Sequence, residues 1–134
     1  MTPLAVIDTH ALIWYAMGRA QKLGRRARKL LTQADEGRAS IYIPAIVLIE
    51  VLEAAHRGVV LLADGPDAWV RGLTASGGFL VAPLTTDIAL RSATLYSIPE
   101  RGDRLIAATA VELDLPLITR DPEIAAAAAV RHVW

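Results

Sequence analysis

The run Leu4-Ala5-Val6-Ile7 is apolar without alternation and stops at Asp8. A strand with one face in water alternates, and a strand covered on both faces does not, so this segment belongs inside a parallel sheet with helices on either side. The rest of the chain follows the same plan. Leu23, Ala27, Leu30, Leu31 and Ala34 share one face of a helix closed by Gly37, and Ser40 to Ile43 reads as a second strand. Pro44 suits the start of the next helix, which carries Ile46, Ile49, Glu50, Leu52, Glu53 and His56 before Gly58 ends it. Asp64 to Thr74 predicts a helix, Phe79 to Ala82 a strand, and another helix starts at about Thr86. Asp103 to Leu113 predicts a helix with Ile106, Ala107, Ala110 and Leu113 on one face. Pro116 to Thr119 is then a strand, Asp121 to Ala128 a short helix, and Val130 to Val133 a closing edge strand. Strands and helices alternating at this spacing predict a three-layer α/β/α sandwich around a central, mainly parallel sheet.

With 134 residues, 54% of them hydrophobic, the chain can fill one core, and the expected organisation is a single domain over residues 1–134. Its longest apolar stretches, such as Ile41 to Ile49 and Ala125 to Val130, fall far short of the ~18 residues of a membrane span. The N-terminal MTPLAVIDTH has no basic n-region, so a soluble, cytoplasmic protein is expected. The absence of Cys excludes disulfides, thiolate-bound zinc, iron–sulfur clusters and a thiol nucleophile. Fourteen basic and 14 acidic residues balance to zero, so a polyanion has to be met by a local patch. The densest patch is Arg19, Lys22, Arg25, Arg26, Arg28 and Lys29, which suits either a solvated helix face or a track for an RNA backbone. Trp14 and Tyr15 read as packing or interface residues.

The acids carry the chemistry. Asp8 ends the first strand and Asp121 follows the strand Pro116 to Thr119, at the carboxyl edge where ligands collect in open α/β sheets. Asp103 opens a helix, and Glu50 sits inside the apolar stretch IVLIEVL, where burial is costly unless a cation or hydrogen bonds meet it. Each has an ordinary explanation: Asp103 and Asp121 suit helix caps, and Asp8 suits a turn. Four converging carboxylates would repel one another and call for a divalent cation, Mg²⁺ or Mn²⁺, whose hard-oxygen coordination is completed by water and substrate phosphate. A phosphodiester is the natural substrate of such a site. His10, His56 and His132 form no metal-ligand spacing, and neither a G-x-S-x-G element nor a glycine-rich phosphate loop is present.

At these residues the sequence resembles the PIN-domain ribonucleases, especially the VapC-like toxins, over essentially the whole chain. The matching segments are VIDTHALIW around Asp8, IPAIVLIEVLEAAHRG around Glu50, GDRLIAATA around Asp103, and LPLITRD ending at Asp121. The resemblance implies a parallel-sheet α/β/α fold, a metal site built from Asp8, Glu50, Asp103 and Asp121, and endoribonuclease activity restrained by a cognate antitoxin protein. It also implies a homodimer. Two segments depart from the family pattern. Pro99-Glu100-Arg101-Gly102-Asp103 replaces the usual D-P-x-D-R run, and Val47, Leu48 and Ile49 precede Glu50 where many relatives carry Ser and Trp.

The expected reaction is metal-assisted hydrolysis of RNA by a water attacking phosphorus in line, leaving a 5′-phosphate and a 3′-hydroxyl. Thr9 and Thr119 are candidates for hydrogen bonds that hold the acids. Arg25, Arg26 and Arg104 are candidates for RNA contacts, with an exposed helix face as the alternative for Arg104. One rival is an aspartate-nucleophile phosphatase, which would want a second Asp two residues after Asp8, where this chain has His10. The other is a non-catalytic binding module on the same fold, which has no chemical need for all four acids.

Overall fold

The computed structural model describes residues 2–134 and places five strands in one sheet, ordered β3-β2-β1-β4-β5, with every neighbouring pair parallel. The strands are β1 (Pro3–Ile7), β2 (Ser40–Pro44), β3 (Phe79–Ala82), β4 (Leu117–Ile118) and β5 (His132–Val133). The helices are α1 (Thr9–Ala16), α2 (Arg25–Asp35), α3 (Ala45–His56), α4 (Pro66–Ala75), α5 (Thr86–Ser92), α6 (Arg101–Glu112) and α7 (Pro122–Ala125), with a short 3-10 turn at Ala20–Lys22. The α/β/α architecture expected from the sequence is the one observed, and the sheet is parallel throughout. No described helix is long and apolar enough to cross a membrane.

Burial explains the missing alternation in β1. Ala5, Val6 and Ile7 are all fully buried, as are Ile41, Ile43, Leu117 and Ile118 on the strands around them. The chain leaves β1 toward β2 and β3, then crosses back to β4 on the other side of β1. Strand order therefore reverses beside β1, and the carboxyl ends of β1 and β4 flank the crevice that such a reversal opens. The Asp8 amide donates to the Ile118 carbonyl at 3.1 Å, which closes the sheet just below that crevice.

Several boundaries differ from the expected ones, and α1 was not expected at all. Asp8 does not begin a loose turn but caps α1, its Oδ1 accepting from the Ala11 amide at 2.8 Å. Helix α6 begins at Arg101 with Glu100 at its N-cap, so Asp103 lies within the first turn rather than opening the helix. Helix α7 ends at Ala125, well before Ala128, because the Ala127 and Val130 amides close tight turns onto Ile124 and Ala127 that steer the chain into β5. The strands β4 and β5 are two residues each, shorter than the segments expected. Gly78 is required by a close approach, since a Cβ there would stand 2.1 Å from the Ala34 carbonyl oxygen of α2.

Candidate functional site

The crevice beside β1 collects acids from four separate elements. Asp8 is 6% exposed at the end of β1. Burial pushes its carboxyl above the ordinary value of 3.8; the Thr119 hydroxyl, the Ala11 amide and the His10 charge oppose that rise, and the Asp121 charge adds to it. Asp121 caps α7, with Oδ1 accepting from the amides of Glu123 at 2.8 Å and Ile124 at 3.4 Å. Its own amide donates to Thr119 Oγ1 at 3.1 Å. Thr119, fully buried, thus touches the backbone of one acid and the side chain of another.

Glu50 comes from α3, on the same side as buried Val47, Val51 and Ala54. The cost expected for a carboxylate in that apolar stretch is offset by Thr9, whose hydroxyl donates to Glu50 Oε1 at 2.5 Å. The other oxygen is held toward the first turn of α6 by a missing side chain. A Cβ on Gly102 would stand 2.7 Å from Glu50 Oε2. Thr9 and Gly102 therefore lodge the carboxylate between α1 and α6.

Asp103 is half-buried, and its carboxyl is pushed up to about 7. Burial contributes most, followed by the Asp121 charge, a hydrogen bond and charge from Glu100, and the Glu50 charge. All four acids singled out in the sequence thus act on one another, Asp121 on both Asp8 and Asp103, and Glu50 on Asp103. Glu100 joins them. The sequence showed it three residues before Asp103, one helical turn away, and that spacing was the available signal.

No basic side chain neutralises this group. The ion pairs among the described residues are Arg38–Glu36, Arg71–Asp67, Arg91–Glu112 and Arg131–Asp114, all remote from the five acids in their partners. The donor set is all oxygen, which suits a hard divalent cation. No three described Asp, Glu or His side chains form a ready-made ion cage. A cation that keeps several of its waters does not need one.

A cleft of about 400 Å³ adjoins the acids, with Thr9, Glu50, Glu100 and Asp103 on its polar side. Trp14 forms part of its wall and is held from behind. Trp134 meets it edge-on with centroids 5.7 Å apart, while the Arg120 guanidinium lies 4.6 Å and the Lys22 ammonium 5.6 Å from its ring centroid. Tyr15 packs on Phe79 instead. Of the three arginines singled out in the sequence, Arg25 and Arg26 are exposed on α2. Arg104 donates to the Ile98 and Pro99 carbonyls at 2.9 and 2.8 Å and lies over Tyr96, so it fastens the loop before α6.

The PIN domain family model matches residues 5–130. The chain belongs to the PIN-domain family. Its fold is shared with a toxin–antitoxin complex from Klebsiella pneumoniae, at 29% identity and a TM-score of 0.61 over 94% of both chains. It is similar to DNA-bound VapBC from Salmonella typhimurium (18% identity, TM-score 0.73, 99% of this chain and 98% of the other). It is also similar to VapBC2 from Rickettsia felis bound to a promoter DNA fragment (14% identity, TM-score 0.70, 100% and 99%). Comparison with curated proteins gives no match.

Proposed function

We propose that this PIN-domain chain is a divalent-metal-dependent endoribonuclease and the toxin of a toxin–antitoxin pair. The observation that carries the reading is Asp103, pushed up to about 7 by burial and by carboxylates from three other positions, with no basic partner. Crowding of this kind is costly for a structural site and useful for one that binds a cation and a phosphodiester. Asp8, Glu50, Asp103 and Asp121 would hold Mg²⁺ or Mn²⁺, which when bound supplies an acidified water and neutralises charge on the phosphate oxygens. The protein supplies the placement. Backbone amides fix the carboxylates of Asp8 and Asp121, and the Thr9 hydroxyl fixes Glu50. Glu100 holds Asp103 near its midpoint at neutral pH, so the Asp103 carboxyl gives up its proton when a cation arrives.

The similarity to toxin–antitoxin complexes supports a cognate antitoxin as partner. A homodimer and a cytoplasmic setting complete the proposal, since RNA is the substrate and no described helix can cross a membrane.

The direct test is cleavage of a total RNA pool by the wild type and by Asp103→Asn, with and without EDTA, with the ends mapped by sequencing. Expected are discrete cuts bearing 5′-phosphates, made only by the wild type and only without EDTA. Equal cutting in every sample would overturn the reading. Gly102→Ala gives a second, opposed pair of effects. Removing a helical glycine stabilises by up to about 1 kcal/mol. The new methyl group displaces Glu50 Oε2, so cleavage should fall roughly tenfold while the melting temperature holds or rises. Parallel losses of both would mean that Gly102 is needed for packing and not for placing Glu50.

A further inference from the structure

The cleft beside the acids has an order of chemistry that the acids alone do not explain. Carboxylates stand at one side, an apolar floor of Ile13, Met17, Ala54 and Val59 follows, and Arg19 and Arg57 line the same space. Neither arginine is ion-paired among the described residues. We propose that this cleft seats one unstacked nucleobase of a single-stranded RNA, next to the phosphate held at the acids, and that Arg19 and Arg57 take a flanking phosphate. The assignment rests on the nuclease reading and adds to it the form of the substrate.

The volume of about 400 Å³ lies within the range of about 300–1,000 Å³ typical of small-molecule sites, and it suits a nucleotide unit. Phosphate, base and phosphate in sequence match acid-held cation, apolar floor and free arginines. A basic peptide would suit the acids but be repelled by the arginines. The wall is rigid where a base needs it, because Trp14 is fixed by Trp134 and carries Arg120 and Lys22 against its ring. His10 is exposed beside it, its ring centroid 5.9 Å from that of Trp14, and offers a flat, chargeable edge to the base. A base inside a duplex is already stacked on both faces and cannot enter, so the seat selects single strands, loops or bulges.

The experiment uses the full chain and a short labelled oligoribonucleotide carrying a cut site mapped in the RNA pool. Three substrates are compared: the single strand, its duplex, and a series with one base removed at each position. Cleavage is followed in Mg²⁺ and binding by anisotropy in EDTA. Expected are at least roughly tenfold weaker binding and cutting of the duplex, and a similar loss when one particular base beside the cut is removed. Val59→Trp is a safe way to fill the cleft, since Val59 is 64% exposed, and it should weaken single-strand binding by a similar factor. Arg57→Ala should weaken binding and flatten its salt dependence. Equal cutting of duplex and abasic substrates, with EDTA sensitivity retained, would overturn the seat and leave the nuclease standing. Absence of both cutting and binding would overturn both. Unchanged RNA binding by Val59→Trp would give the cleft to another occupant, a protein segment included, and would equally overturn the assignment.

Discussion

Asp8→Asn should lower RNA cleavage by roughly a thousandfold and raise the stability of the metal-free protein. The two effects come from different atoms of one side chain. A ligand that positions a catalytic cation supports several kcal/mol of transition-state stabilisation, and each 1.36 kcal/mol is tenfold in rate. Asn keeps an oxygen for the Ala11 amide, and Asn caps helices as well as Asp does, so α1 stays anchored. The charge is what disappears. Burial raises the Asp8 carboxyl above its ordinary range, so the charged form opposes folding, and a neutral isostere removes that opposition together with the repulsion from Asp121. The check is a melting curve in EDTA beside a cleavage assay on the same preparation. Full activity of the purified variant, or a lower melting temperature, would sink the placement of Asp8 at the centre of the site.

Much of this arrangement could be read from the residues, and the parts that could not have physical reasons. Leu4 to Ile7 announced a doubly covered strand because burial on both faces erases alternation, and the structure buries that run completely toward Ile7. The same effect hid α1. Its sequence THALIWYA packs Ala11 and Leu12 into the core and Ile13, Trp14 and Tyr15 against it, so no polar face marks a helical period. Aromatic and β-branched residues also carry weak helix propensity. The alanine run at 125–129 misled in the opposite direction, since propensity favoured a longer helix and the need to feed β5 ended it.

The acids were legible in position but not in their local roles. Asp103 read as a common helix cap, and it makes no cap; its carboxyl faces Glu100, Glu50 and Asp121 instead. Asp8 and Asp121, which stood out by strand-end position, are the ones that cap helices. A cap and a place in the acid group are compatible here, because one carboxylate oxygen can accept backbone amides while the other faces the crevice. Glu100, Gly102 and the pairing of Trp134 with Trp14 depend on tertiary approach, and no spacing rule reports that Glu50 ends beside Gly102.

The metal-free protein should lose stability as pH rises from about 4 to about 7, and a divalent cation should cancel the loss. Asp103 is pushed from 3.8 to about 7, and Asp8 shifts in the same direction. In that window the folded chain holds protons that the unfolded chain has released, so raising pH favours unfolding. Stability from these groups is therefore fully present below about 4, falls through the window, and levels off above about 7. A cation binds the ionised form, so its stabilising effect should grow as pH rises through the same range. Melting temperatures in EDTA and in excess Mg²⁺ across that range give the two curves. Other carboxylates titrate there too, and the difference between the wild type and Asp103→Asn isolates the residue. The advantage of the variant in EDTA should widen with pH. Glu100→Gln removes one of the charges that raise the Asp103 carboxyl, so the fall should move to lower pH while the site keeps its four acids. A difference curve that is flat, or that slopes the other way, would show that Asp103 titrates as an ordinary surface carboxylate and that the crowding at the crevice does not reach it.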